Sequence, residues 1–178
     1  NRVEVFAAGK YANLLSHYRD IDAQYPGGGL SQRYVQQEAH ATAGAALHLD
    51  KWSFALAADY ALGTMRSNLK TDNNVLRHTL LQSTSVRFHT DRFALTARAV
   101  ASFIDNKVKD NAARAARRVS RLSPSVGAVW RVLGSETTRR GSATLRLRAD
   151  YRETFRAPTF TESYFYHLGS QSLRPETV

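Results

Sequence analysis

The sequence predicts an all-β fold: an antiparallel up-and-down meander of about seven long strands, part of a larger transmembrane β-barrel. Three observations carry this reading. Apolar and polar side chains alternate with period two over long stretches. Tight polar turns alternate with long polar connections. In the clearest strand every charged side chain falls on one face.

The strands follow in order. The first opens at Val3 and Val5 and runs through Tyr11 towards Tyr18. The second sets Ala43, Ala45, Leu47 and Leu49 against Thr42, Gly44, Ala46 and His48. In the third, Phe54, Leu56, Ala58, Tyr60 and Leu62 alternate with Ser53, Ala55, Ala57, Asp59 and Ala61. The fourth opposes Leu80, Thr84, Val86 and Phe88 to Thr79, Ser83, Ser85 and Arg87. The fifth has a complete apolar face of Phe93, Leu95, Ala97, Ala99, Ala101 and Phe103. The sixth places Val126, Ala128, Trp130 and Val132 opposite Ser125, Gly127, Val129 and Arg131. The seventh is the cleanest: Ala143, Leu145, Leu147, Ala149 and Tyr151 against Thr144, Arg146, Arg148, Asp150 and Arg152.

Asp50-Lys51 and Thr90-Asp91 read as tight turns, and 134–141 as a slightly longer one. Long polar connections are expected over 20–37, 64–74, 106–119 and from Phe155 onward. Short turns at one end and long loops at the other are the build of an outer-membrane barrel. Several strands reach the ~9–11 residues a tilted spanning strand needs, against ~5–6 in soluble sheets. A soluble β-sandwich shares the alternation, so the charges decide. An arginine facing lipid near the midplane costs about 2–4 kcal/mol. Arg146, Arg148 and Arg152 share a face, and pointed at a wet lumen they cost little. The aromatics near strand ends, Phe54, Tyr60, Phe88, Phe93, Phe103, Trp130 and Tyr151, suit interfacial girdles.

Composition narrows the classes. Hydrophobic residues make up 43% of the chain, too many for a disordered segment. Cysteine is absent, which excludes disulfides and thiolate metal sites. The net charge of +10 raises an acidic partner, yet the arginines are spread along the strands and only 114–118 forms a basic cluster. Gly27-Gly28-Gly29 lacks the Lys-Ser/Thr of a phosphate cradle, and Asp72-Asn73-Asn74 lacks the glutamate of a calcium loop. His17, His40, His48, His78 and His89 are not at metal-ligand spacing, and no nucleophile elbow occurs. No enzyme, no metal, no cofactor and no nucleic-acid partner is expected.

The last part of the chain adds a resemblance. Phe155-Arg156-Ala157-Pro158-Thr159, then Glu162-Ser163-Tyr164, then Leu173-Arg174-Pro175-Glu176 resembles the box found in TonB-dependent outer-membrane receptors. Arg174 stands where lysine is usual, Ser170 where asparagine follows the glycine, and the Glu-Ser-Tyr element matches loosely. The resemblance implies a plugged barrel of about 22 strands in the bacterial outer membrane. It further implies TonB-dependent uptake of a scarce ligand such as a ferric siderophore, haem or cobalamin. Residues 1–178 would then be a partial barrel, with the plug domain and further strands outside them. The partners implied are outer-membrane lipid, the TonB complex through that plug, and an extracellular small molecule. In haem receptors of the family a histidine between two such boxes ligates iron; His167 occupies that position, though an ordinary loop histidine is the simpler expectation.

The residues themselves say what the box does. Pro158 and Pro175 cannot donate ladder hydrogen bonds and so end or delay strands. Arg156 offers a fork of donors, for which Glu162 and Glu176 are candidate partners. The box therefore reads as a device that shapes a loop more than as a ligand contact. Ligand contact is expected instead on a lumen lined by Arg98, Arg131, Arg146, Arg148, Asp150 and Arg152, which favours anionic ligands. Two other classes stay open at this point: a passive porin-like channel on the same architecture, and a soluble basic nucleic-acid-binding β-protein.

Overall fold

The computed structural model describes residues 2–20, 30–68, 74–109, 118–133, 144–164 and 173–177. Seven strands lie side by side in chain order: β1 (Arg2–Asp20), β2 (Leu30–His48), β3 (Trp52–Ser67), β4 (Asn74–His89), β5 (Phe93–Val108), β6 (Val119–Leu133) and β7 (Leu145–Arg152). Each pairs antiparallel with the next, and among the described residues β1 and β7 are the open edges. No described helix is long and apolar enough to cross a membrane; the long elements are strands.

The strands are longer than their alternating cores. β1 and β2 have 19 residues each, and β3 to β5 have 16. Residues 30–37, 64–67 and 106–108, expected in loops, continue the ladder instead. The reason is that a strand standing in water needs no apolar face once its backbone is paired. Tyr34↔Ser67 and Val75↔Val108 are in register far beyond the apolar stretch.

Register assigns every side chain to a face, because directly paired residues point the same way. Alternate residues of β3 differ in burial along most of its length. The more occluded, inner face is the one towards which the sheet curls. The outer face carries Trp52, Phe54, Leu56, Ala58, Tyr60 and Leu62 on β3, and through its partners Leu80 and Val86 on β4 and residues 93–103 in alternation on β5. It continues through Leu122, Val126 and Trp130 on β6 to Leu147 and Tyr151 on β7. At ~3.3 Å per residue and a ~45° tilt, residues 93–103 make a band ~25 Å tall, the height of a lipid-facing barrel surface.

No Asp, Glu, Lys or Arg of the described strands lies in that band. The outer-face charges Arg19, Arg33, Arg66, Asp105 and Lys107 all stand beyond its loop-side end. Trp52 and Phe88, 4.7 Å apart between ring centroids, mark its turn-side rim with Phe93 and Trp130. Tyr60 and Phe103, two strands apart in one register row, mark the other rim, where the Tyr60 hydroxyl and His78 Nδ1 share a 2.7 Å hydrogen bond. Pro124 sits in β6, an apparent breach of strand rules. It falls where β7 departs, so only its carbonyl is needed, and that accepts from the Glu153 N–H at 3.0 Å.

After β7 the chain turns inward. A two-residue strand β8 (Phe155–Arg156), a helical turn α1 (Phe160–Tyr164) and a second short strand β9 (Glu176–Thr177) complete the described elements. β8 pairs antiparallel with β9, Arg156 opposite Glu176. The one buried apolar cluster among the described residues gathers Tyr34, Met65, Val75 and Val108 from the loop ends of β2 to β5 around Tyr164 of α1.

Candidate functional site

The inner face carries the chemistry. On β4 to β7 an open trough of 970 Å³ is bordered by Arg87, Arg98, Arg148, Asp150, Arg152 and Phe155. Four of the residues expected to line the lumen, Arg98, Arg148, Asp150 and Arg152, therefore meet along one surface. Arg146 shares their face, opposite Arg131, but does not border the trough. Arg131 points to the turn side, where its guanidinium donates to the Asp91 carbonyl at 2.7 Å. Placed on the other face, this row of guanidiniums would stand in hydrocarbon; alternation puts all of it in water.

Asp150 is held by its neighbours. Arg148 grips the carboxylate with both arms of its fork, Nε to Oδ2 at 2.5 Å and a terminal nitrogen to Oδ1 at 3.2 Å. Gly127 lies directly across the ladder, and a Cβ there would come within 2.8 Å of Asp150 Oδ1. The glycine thus leaves the space over which the carboxylate lies. Among the described residues, Arg87, Arg98, Arg146 and Arg152 have no ion pair. The trough's other carboxylate, Glu153, faces Arg121 at 3.8 Å, so Arg87, Arg98 and Arg152 remain as a surplus of guanidiniums among the described residues.

The β2–β3 side of the inner face differs. Gln36 donates to Glu38 at 2.7 Å, His40 Nε2 lies 3.3 Å from the other carboxylate oxygen, and Thr42 donates to Asp59 at 2.5 Å. His48 contacts Ser53 at 3.1 Å. These polar groups satisfy one another. Among the described residues no group of three or more His, Cys, Asp or Glu is placed to hold a metal ion.

At the loop end, 155–164 forms a strap over the inner face. Thr159 and Glu162 cap α1 reciprocally: the Thr159 N–H donates to the Glu162 carboxylate at 2.8 Å, and the Glu162 N–H to the Thr159 hydroxyl at 3.2 Å. Arg156 bridges that carboxylate and Glu176, the latter at 3.7 Å, so both candidate partners engage it. The Thr159 N–H, helped by the Thr159 hydroxyl and the Arg156 charge, holds the Glu162 carboxyl below the usual carboxylate range. From the wall, half-buried Arg77 donates Nε to Asn106 at 2.7 Å and a terminal nitrogen to the Pro158 carbonyl at 2.8 Å. Tyr164, only 4% exposed, anchors the far end.

Of the box residues, Phe155 and Arg156 form β8 and Glu176 lies in β9. Ala157, Pro158 and Thr159 link β8 to α1, and Leu173 and Pro175 lead into β9. His167, the glycine tip at 27–29 and Asp72-Asn73 lie outside the described residues. Sequence reasoning missed Arg77, which nothing local marks, and named Tyr164 only as part of the box and not as an anchor of the strap. The Thr-x-x-Glu spacing at 159–162 was a legible cap signal.

The comparisons bear on this geometry. A family model described as TonB dependent receptor-like, beta-barrel, matches residues 7–178. No curated protein matches the sequence closely enough to stand as a relative.

Proposed function

We propose a role in ligand uptake on one premise: the chain belongs to the TonB-dependent receptor-like β-barrel family. It is part of a bacterial outer-membrane protein of a family of transport receptors that work with TonB, not a family of enzymes. The soluble, nucleic-acid-binding reading gives way to this one. On that premise the seven strands are one sector of a larger barrel whose remaining strands pair with β1 and β7. The coupling to TonB runs through a plug domain.

The ligand we infer is an anionic small molecule of the ferric siderophore class. The single observation that supports it is the inner-face trough, where Arg87, Arg98 and Arg152 have no ion pair among the described residues and stand beside the Arg148–Asp150 fork. Guanidinium forks match carboxylate and phosphate groups in pairs, and a low-dielectric wall strengthens their field. Haem would ask in addition for an axial ligand, and among the described residues no histidine borders the trough.

Uptake of labelled ferric chelates of differing charge by cells carrying the intact receptor tests both levels. R98Q and R152Q should each raise the half-saturating concentration of an anionic chelate about tenfold, with little change for a neutral one. Equal effects on both chelates would remove the anionic assignment. Undiminished uptake in cells lacking TonB would return the passive porin-like channel.

A further inference from the structure

The outer face offers a second charged surface, separate from the trough. Arg66, Lys107 and Lys109 stand around a groove of 340 Å³ floored by Thr64, Asn74 and Leu76. Register puts all three cations on the lipid-side face: Arg66 pairs with Asn74, Lys107 pairs with Leu76, and the Lys109 N–H donates to the Asn74 carbonyl at 3.0 Å. Among the described residues none of the three has an ion pair. Among the described residues the nearest outer-face carboxylate, Asp105, is held by Arg118 at 2.6 Å.

Height decides what such a groove meets. Lys107 lies four residues beyond Phe103 at the band's upper rim, which at ~3.3 Å per residue and ~45° tilt is ~9 Å above the hydrocarbon edge. That is the headgroup layer, ~5–8 Å thick, and the water just past it. Arg66 and Lys109 stand on either side of Asn74, two strands apart, ~10 Å. The groove is continuous with the lipid-facing band below, so whatever lipid covers Tyr60 and Phe103 brings its headgroup here. The charges that line it among the described residues are all positive, and a positive pocket at headgroup depth selects anionic lipid.

We propose that this groove on β3, β4 and β5 binds the phosphate groups of a phosphorylated glycolipid in the outer leaflet. The long side chains supply donors to phosphate oxygens, Lys as point charges and Arg66 as a fork, while Leu76 and the band beneath meet the acyl chains. The site depends on outer-membrane location and not on which ligand the trough takes.

The test uses the intact receptor purified in mild detergent, with bisphosphorylated lipid A and its dephosphorylated form as probes and native mass spectrometry as the readout. The wild-type protein should retain the phosphorylated lipid at least tenfold better than the dephosphorylated one. Each cation removed should cost about fivefold and the triple variant R66Q/K107Q/K109Q about 100-fold, while R66K/K107R/K109R restores retention. The inner-face triple R98Q/R146Q/R152Q, of equal charge change, should leave lipid retention as it was. Equal retention of the two lipids by the wild-type protein would overturn the proposal without any variant. So would millimolar inorganic phosphate displacing the lipid completely, which would mark a site for the free ion, or equal loss in the two triple variants.

Discussion

The seven-stranded wall and the strap of β8, α1 and β9 are built on different principles. In the wall, what matters about a side chain is its parity. Ala97 and Thr96 are neighbours in β5, yet one stands in hydrocarbon and the other in water, because side chains alternate across the sheet. In the strap, parity means nothing. Arg156, Thr159, Glu162 and Tyr164 each make a contact that depends on the side chain's own chemistry and not on its parity. A wall specified by pattern tolerates many sequences; a strap specified by contacts tolerates few.

The largest expected effect tests the wall. A97R places a guanidinium near the middle of the outer band and should lose about 2–4 kcal/mol in denaturant titration of the refolded receptor. T96R should stay within about 0.5 kcal/mol. Equal losses would break the assignment of the two faces.

The strap comes next. R77A removes charge-assisted hydrogen bonds to Asn106 and the Pro158 carbonyl, and should loosen 155–164 by about 1.5–3 kcal/mol in amide hydrogen exchange. Global stability should move less, since the wall keeps its ladder. R77K should recover only part of the loss, because one ammonium cannot reproduce the fork. Unchanged exchange over 155–164 in R77A would mean that the strap is held elsewhere.

Smaller still is T159A, which removes one side of the reciprocal cap and should cost about 1 kcal/mol locally. The smallest effect is that of pH. The folded state holds the Glu162 carboxyl below its usual range. Its contribution is therefore complete above the unfolded value of about 4.5 and is lost as pH falls through the lowered one. Protection of the strap amides, taken relative to the intrinsic exchange rate at each pH, should fall in that acidic window in the wild type, and E162Q should flatten the dependence. A wild-type profile that loosens towards alkaline pH instead would contradict the assigned partners.

Much of the wall was legible before any coordinates. Residues 93–103 and 145–152 declared their faces by alternation, and the placement of Arg98, Arg148, Asp150 and Arg152 followed. Strand ends were less legible. Gln36 and Gln37 look like loop residues, because polar side chains on a strand raised above the membrane leave no apolar trace. The grip of Arg148 on Asp150 over Gly127 was also invisible, since it depends on which residue of β6 lies across the ladder.

The sequence alone determined the period, and with it the strand count, the two faces and the separation of charge from lipid. These follow from local geometry: every second side chain points the same way. It also carried the cap at Thr159 and Glu162, which are three residues apart. Tertiary structure alone decided that Arg77 meets Pro158, 81 residues away, that Tyr164 closes the cluster at the loop end, and that Arg66, Lys107 and Lys109 frame one groove. Such meetings depend on the register and curl of neighbouring strands, which no single stretch of chain contains.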